Sequence, residues 1–194
     1  MIDIEKRQGK RKIRMDLPEF RKLDTFEEIE QPKVVYHMTF RENLKDILDC
    51  GKIKSFNDFL TFFFINEEQA PLYIELTGAK DGRAYYGTDG TIIEAPPLIV
   101  EDMVVLKLLP KRKEKLEWYR EVIDETKNLY ANAVAKDIKP LWEIFNDMRV
   151  VHYGDFSFDR EKVEIIELSD IYKNLSDEKA KALEAIKELK RIKQ

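Results

Sequence analysis

The chain has 194 residues, of which 43% are hydrophobic and 37% charged. That is the composition of a soluble, densely charged globular protein with room for one well-buried domain. Its net charge of −4 argues against whole-surface attraction to nucleic acid. The single cysteine, Cys50, excludes an internal disulfide and fits a cytoplasmic setting, and no apolar run suits a membrane span or a signal-peptide core.

Residues 1–30 read as a charged N-terminal lead-in, broken at Leu17-Pro18, with a short acidic helical patch from Phe26 to Glu30. Lys6, Arg7, Lys10, Arg11, Lys12 and Arg14 form a basic arm there. The arm suits contact with nucleic-acid phosphates; the plainer alternative is a solvated, partly disordered tail. A single domain is expected over 31–175, with a helical insertion at about 113–148 and a C-terminal helix over 176–194.

Val34-Val35-Tyr36-His37-Met38-Thr39 reads as a buried strand ending beside a histidine. Thr39 and Glu42 have capping-box spacing, so a helix is predicted to start at Phe40. Phe40, Leu44, Ile47 and Leu48 would share its inner face, and Gly51 would supply a left-handed cap. Leu60 to Ile65 is an aromatic strand candidate. Asn66 and Gln69 cap a helix reaching about Leu76, with Pro71 a source of kinking. Asp89-Gly90 signals a tight hairpin between residues 84–86 and 91–93. Met103 to Leu109 is a further strand. Lys113 to Lys136 carries a helical stripe that includes Leu116, Tyr119 and Val122, and Leu141 to Met148 reads as a second helix. Residues 149–154 and 162–168 read as strands, and Ser176 to Lys193 as a charged helix with Ala182, Leu183, Ile186 and Leu189 inward. Strands outnumber the helices able to connect parallel neighbours. An α+β fold follows, with a bent, mostly antiparallel sheet flanked by helices.

Tyr36-His37-x-Thr39, then Asn43-Leu44, Ile47-Leu48 and Gly51, resembles the first motif of the ADP-ribosyltransferase superfamily, in the style of its DarT and KptA branches. The resemblance covers about eighteen residues. It implies two small sheets gripping NAD in a cleft. It further implies transfer of ADP-ribose from NAD to a nucleic-acid or protein acceptor, in proteins that often act as toxins in phage–host conflict with a cognate antitoxin. His37 would hold a ribose hydroxyl of NAD, with Tyr36, Thr39 and Asn43 beside it. Phe62 to Tyr73 resembles the second motif, so Tyr73, or Tyr85 or Tyr86 in the hairpin, would stack the nicotinamide.

The third motif departs from the family. Arg149 stands where the catalytic glutamate is expected, leaving Glu143 or Glu161 as candidates to activate the ribose. Without a carboxylate, the chain reads instead as a catalytically inactive binding module on the same fold, recognising a nucleotide, a nucleic acid or a partner protein. Of the remaining residues, Phe62 and Phe64 read as core, and Cys50 as a packing residue. Two histidines without HxH, CxxC or HExxH spacing give no expectation of a metal.

Overall fold

The computed structural model describes residues 2–7, 10–15, 26–55, 60–77, 79–81, 83–86, 92–95, 97–111, 118–121 and 149–193. Every strand pair it contains is antiparallel. Together with four α-helices among the described residues this makes an α+β fold, as the sequence indicates.

The organising element is a three-stranded sheet of β4 (Val35–Phe40), β9 (Met103–Leu108) and β13 (Glu164–Glu167), with β9 central. Strand β9 reads Met-Val-Val-Leu-Lys-Leu because both of its faces are covered. Val104, Leu106 and Leu108 join one apolar cluster; Met103 and Val105, on the alternate face, join another.

The cluster that holds Met103 and Val105 is covered by helices. These are α2 (Gln69–Thr77), α3 (Leu168–Lys173) and α4 (Asp177–Lys193). On α2, Ala70, Leu72 and Ile74 are all fully buried, so the helix is apolar around most of its circumference and sits inside the core. Ala182, Leu183 and Ile186 of α4 close over it at helical spacing. Asn66 Oδ1 accepts from Glu68 N at 2.9 Å, and Gln69 Oε1 accepts from Ile65 N and Asn66 N at 3.1 Å each, so the expected cap forms. Pro71 lies in the first turn, where its missing N–H has no helical partner to lose.

The cluster that holds Val104, Leu106 and Leu108 lies between the central sheet and a four-stranded sheet. The latter orders β3 (Phe26–Ile29), β10 (Trp118–Glu121), β11 (Val150–Tyr153) and β6 (Leu60–Phe63). Phe63, Trp118, Val150 and Phe156 fill it, and Leu44, Ile47 and Leu48 of α1 (Leu44–Cys50) pack against it. Gly51 adopts φ 65° and donates to Ile47 O at 2.9 Å, giving the left-handed cap expected after α1. Small ribbons pair β5 (Lys52–Ile53) with β12 (Phe156–Ser157), and β7 (Arg83–Tyr86) with β8 (Ile92–Ala95).

Four expectations need correction. Thr39 does not cap a helix: it pairs with Val104 inside β4, and the strand continues through Phe40 opposite Met103. A 3-10 turn at Arg41–Asn43 then leads into α1, with no side-chain cap at either start, and Phe40 is exposed. Within the helix expected over 113–136, residues Trp118–Glu121 form β10, drawn into place by strands on both sides. The acidic patch from Phe26 is strand β3, not helix. Residues 2–7 and 10–15 are not an irregular lead-in but pair antiparallel as β1 (Ile2–Arg7) and β2 (Lys10–Met15), with Ile4 opposite Ile13 and Glu5 opposite Lys12. A period-two pattern of isoleucines was hidden there among the charges. The Asp89-Gly90 turn, Glu143 and the helix expected at 141–148 lie outside the described residues.

Candidate functional site

The central sheet is tied by backbone to the four-stranded sheet beside Tyr36. Tyr36 and Phe64 exchange both backbone hydrogen bonds, each at 2.8 Å, so β4 and the end of β6 are tied across the joint. One residue along, His37 Nδ1 lies 3.1 Å from Phe62 O. A carbonyl only accepts, so the neutral ring carries its proton on Nδ1 and donates there. Nε2 is left with its lone pair and can accept from a hydroxyl.

His37 is half-buried, and its ring tilts against Phe63 at 5.6 Å. Burial pushes its pKa below the ordinary 6.5, and the hydrogen bond to Phe62 O only partly opposes this. The imidazole is therefore a neutral hydrogen-bonding group near pH 7, not a cation.

Tyr36 and Tyr73 lie on the other face of β4, both partly buried against the helix-covered cluster. Tyr73 packs edge-on to Phe64 at 5.7 Å. Burial, with Glu67 next in weight, raises the Tyr36 pKa, so its hydroxyl stays protonated.

Arg149 stands in the residue just before β11. Its guanidinium lies 4.9 Å from the Phe62 ring centre and 5.1 Å from that of Tyr73, and it donates to Tyr73 Oη at 3.3 Å. A planar cation between two aromatic rings is a strong packing element. Phe62 is thus half-buried as one side of this stack, whereas Phe63 and Phe64 are core.

The other candidates are distributed. Thr39 is two residues along β4 from His37 and buried, and Asn43 is exposed in the following turn. Tyr85 belongs to β7, opposite Ile93. Glu161 is exposed on the turn Arg160–Lys162 and lines a cavity whose walls include neither His37 nor Tyr73. Glu164 and Glu167 are held by Lys107 and Arg41. His152 is buried among Trp118 and Phe156, with Nδ1 3.2 Å from Gly154 O. Among the described residues, no group of three or more His, Cys, Asp or Glu side chains could hold a metal ion, and no helix is long and apolar enough to cross a membrane.

No protein-family model matches the chain, and neither does any curated protein. Two solved structures of DarT from Thermus sp. 2.9 are similar to it. One, in complex with NAD+, is 18% identical at TM-score 0.36, over 66% of this chain and 78% of that one. The other, in complex with carba-NAD+, is 16% identical at TM-score 0.38, over 84% of this chain and 93% of that one.

Proposed function

We propose that the joint between the two sheets binds NAD, and that the chain is an ADP-ribosyltransferase-like protein acting on a nucleic-acid or protein acceptor. The observation that supports this reading is His37. It lies at the joint, neutral, with Nδ1–H spent on Phe62 O and Nε2 able to accept from a ribose hydroxyl. Tyr73 or Tyr85 offers a ring for the nicotinamide, and Tyr36, Thr39 and Asn43 flank the histidine along one stretch of chain.

In such a transfer the bond from ribose C1′ to the nicotinamide nitrogen breaks. Nicotinamide leaves with the electron pair, C1′ bonds the acceptor atom, and that atom loses its proton. A carboxylate near the ribose 2′-hydroxyl would stabilise the positive charge that builds in between. Glu143 is the acid we would substitute first, because Glu161 lines a separate cavity. A role as a toxin in phage–host conflict, held in check by an antitoxin, belongs to this reading, as does a cytoplasmic location.

A second reading is favoured by Arg149. A cation stacked on Phe62 and Tyr73, where the family pattern wants a glutamate, suits a module that binds an anionic nucleotide without turning it over. One experiment separates the two. Purified protein is incubated with labelled NAD, alone and with nucleic acids or lysate, while nicotinamide release and label transfer are followed. Transfer that is lost in His37→Ala and Glu143→Gln supports the enzyme. Binding without release that weakens in Arg149→Ala and survives Glu143→Gln supports the module. No binding by calorimetry would overturn both.

A further inference from the structure

We infer that the open cavity between the end of α1 and the turn Arg160–Lys162 binds a phosphate group. The cavity has a volume of about 340 Å³, and its lining includes Gly51, Lys52, Lys111, Asp159, Arg160 and Glu161, with Cys50 also on the wall. That volume lies at the lower end for ligand pockets, which run from roughly 300 to 1,000 Å³. Because its walls include neither His37 nor Tyr73, this inference stands apart from the NAD reading.

The argument starts from charge. Among the described residues, no carboxylate lies within ion-pairing distance of Lys52, Lys111 or Arg160, although Arg41, Lys80, Lys107 and Lys162 are all paired. Asp159 is already engaged by Lys162 at 3.0 Å and by Glu161 N at 3.2 Å. The cavity thus gathers three cations with no ion-pair partner beside two carboxylates, Asp159, which Lys162 holds from outside, and the exposed Glu161, so positive charge is in excess. Collecting like charges costs energy unless an anion joins them.

The walls are also held in place. Phe158 N donates to Gly51 O at 3.3 Å, Phe158 bridges Pro110, and β5 pairs with β12 through Phe156 and Ile53. Three segments distant in sequence are stitched by backbone before any ligand arrives, which lowers the ordering cost of binding. Gly51 has a specific part in this. A Cβ there would stand 2.5 Å from Arg160 Nε, so the glycine leaves space for the guanidinium to lie against the backbone. Arginine with two lysines is a chemistry that suits phosphate oxygens.

The phosphate could belong to a mononucleotide or to the backbone of a single-stranded nucleic acid. Cys50, the sole cysteine, is exposed on the cavity wall and serves as a reporter. The rate of its alkylation by N-ethylmaleimide is measured with inorganic phosphate, with AMP and with a short single-stranded oligonucleotide, beside fluorescence-anisotropy titrations of the labelled oligonucleotide. We expect at least one probe to slow alkylation. Lys111→Gln and Arg160→Gln should each weaken its binding about three- to tenfold. Protection by the oligonucleotide, with log affinity falling against log salt at a slope of about −2, assigns a backbone phosphate. Protection by AMP or phosphate alone assigns a terminal one. Absence of protection by all three, or equal affinity in both variants, overturns the inference. Equal affinity would leave Arg160 a role only at the end of α1. Lys111 is exposed, so Lys111→Gln keeps the test sound if Arg160→Gln fails to fold.

Discussion

Two phenylalanines provide a sharp test of how the chain is packed. Phe63 is 1% exposed and meets the rings of His37, Trp118 and Phe156 at 5.6, 5.5 and 4.8 Å. Phe40 is 44% exposed at the end of β4. Truncating a buried phenylalanine to alanine removes its transfer energy and leaves a cavity, at a cost of about 3–5 kcal/mol. Three ring contacts put Phe63→Ala toward the upper half of that range. For a chain of this length the midpoint of thermal unfolding should drop by roughly 10–15 °C. Phe40→Ala should cost about 1 kcal/mol or less, because most of what it loses already faces water. Urea unfolding followed by far-UV circular dichroism gives both values. Trp118 fluorescence should shift only in Phe63→Ala. If Phe40→Ala cost as much as Phe63→Ala, the helix would begin at Phe40 after all, and the strand assignment and the site at the joint would both fall.

Two further perturbations follow from the geometry. The folded pKa of His37 lies below its unfolded value of 6.5, so below that pH the unfolded chain binds a proton that the folded chain refuses. Its contribution to stability is complete above about pH 6.5 and is lost as pH falls toward the folded pKa. Urea midpoints at several pH values should decline toward acid in the parent and decline less in His37→Gln, and equal declines would remove the assigned tautomer and burial. Gly51→Ala places a side chain at φ 65° and displaces Arg160, at a cost of about 1–2 kcal/mol. Gly51→Asn should cost less, because asparagine tolerates that conformation; a denaturation series showing no difference would mean that the cap is not left-handed.

The parts of the fold legible in the sequence are those whose signal is local. Strands β4, β6 and β9 announce themselves as apolar runs because their faces are buried within the two clusters. The start of α2 is legible because Asn66 and Gln69 bond to backbone within four residues. What stays hidden is pairing at a distance. Trp118–Glu121 lies in a stretch whose apolar residues recur at helical spacing, and Phe26–Ile29 is too short and acidic to declare itself. Each is a strand because of the other: Trp118 pairs with Ile29 and Glu121 with Phe26. A reading that assigns Trp118–Glu121 to a helix leaves Phe26–Ile29 without a partner, so the first error carries the second.

The candidate site divides the same way. Tyr36 and His37 stand out through a motif confined to one strand and its turn, and Arg149 stands out because it departs from the third. The partners that give these residues meaning come from other segments. Phe62 O fixes the His37 proton, and the Phe62 and Tyr73 rings take the Arg149 guanidinium. The phosphate cavity carries no local signature, since Gly51 and Arg160 meet only after β5 has paired with β12. Thr39 shows why local pattern can mislead even where it is strong. Its spacing to Glu42 satisfies a capping box, but pairing with β9 continues through Phe40, so Thr39 is committed to the sheet before a helix can use it. Its backbone is fixed on the His37 side of β4 by the same ladder that denies it the cap. If Thr39 contributes to binding, it does so beside His37 from a rigid strand. Thr39→Val, which keeps the shape and removes the hydroxyl, should then weaken NAD binding without changing α1. A loss of helix by circular dichroism in that variant would return Thr39 to the capping role.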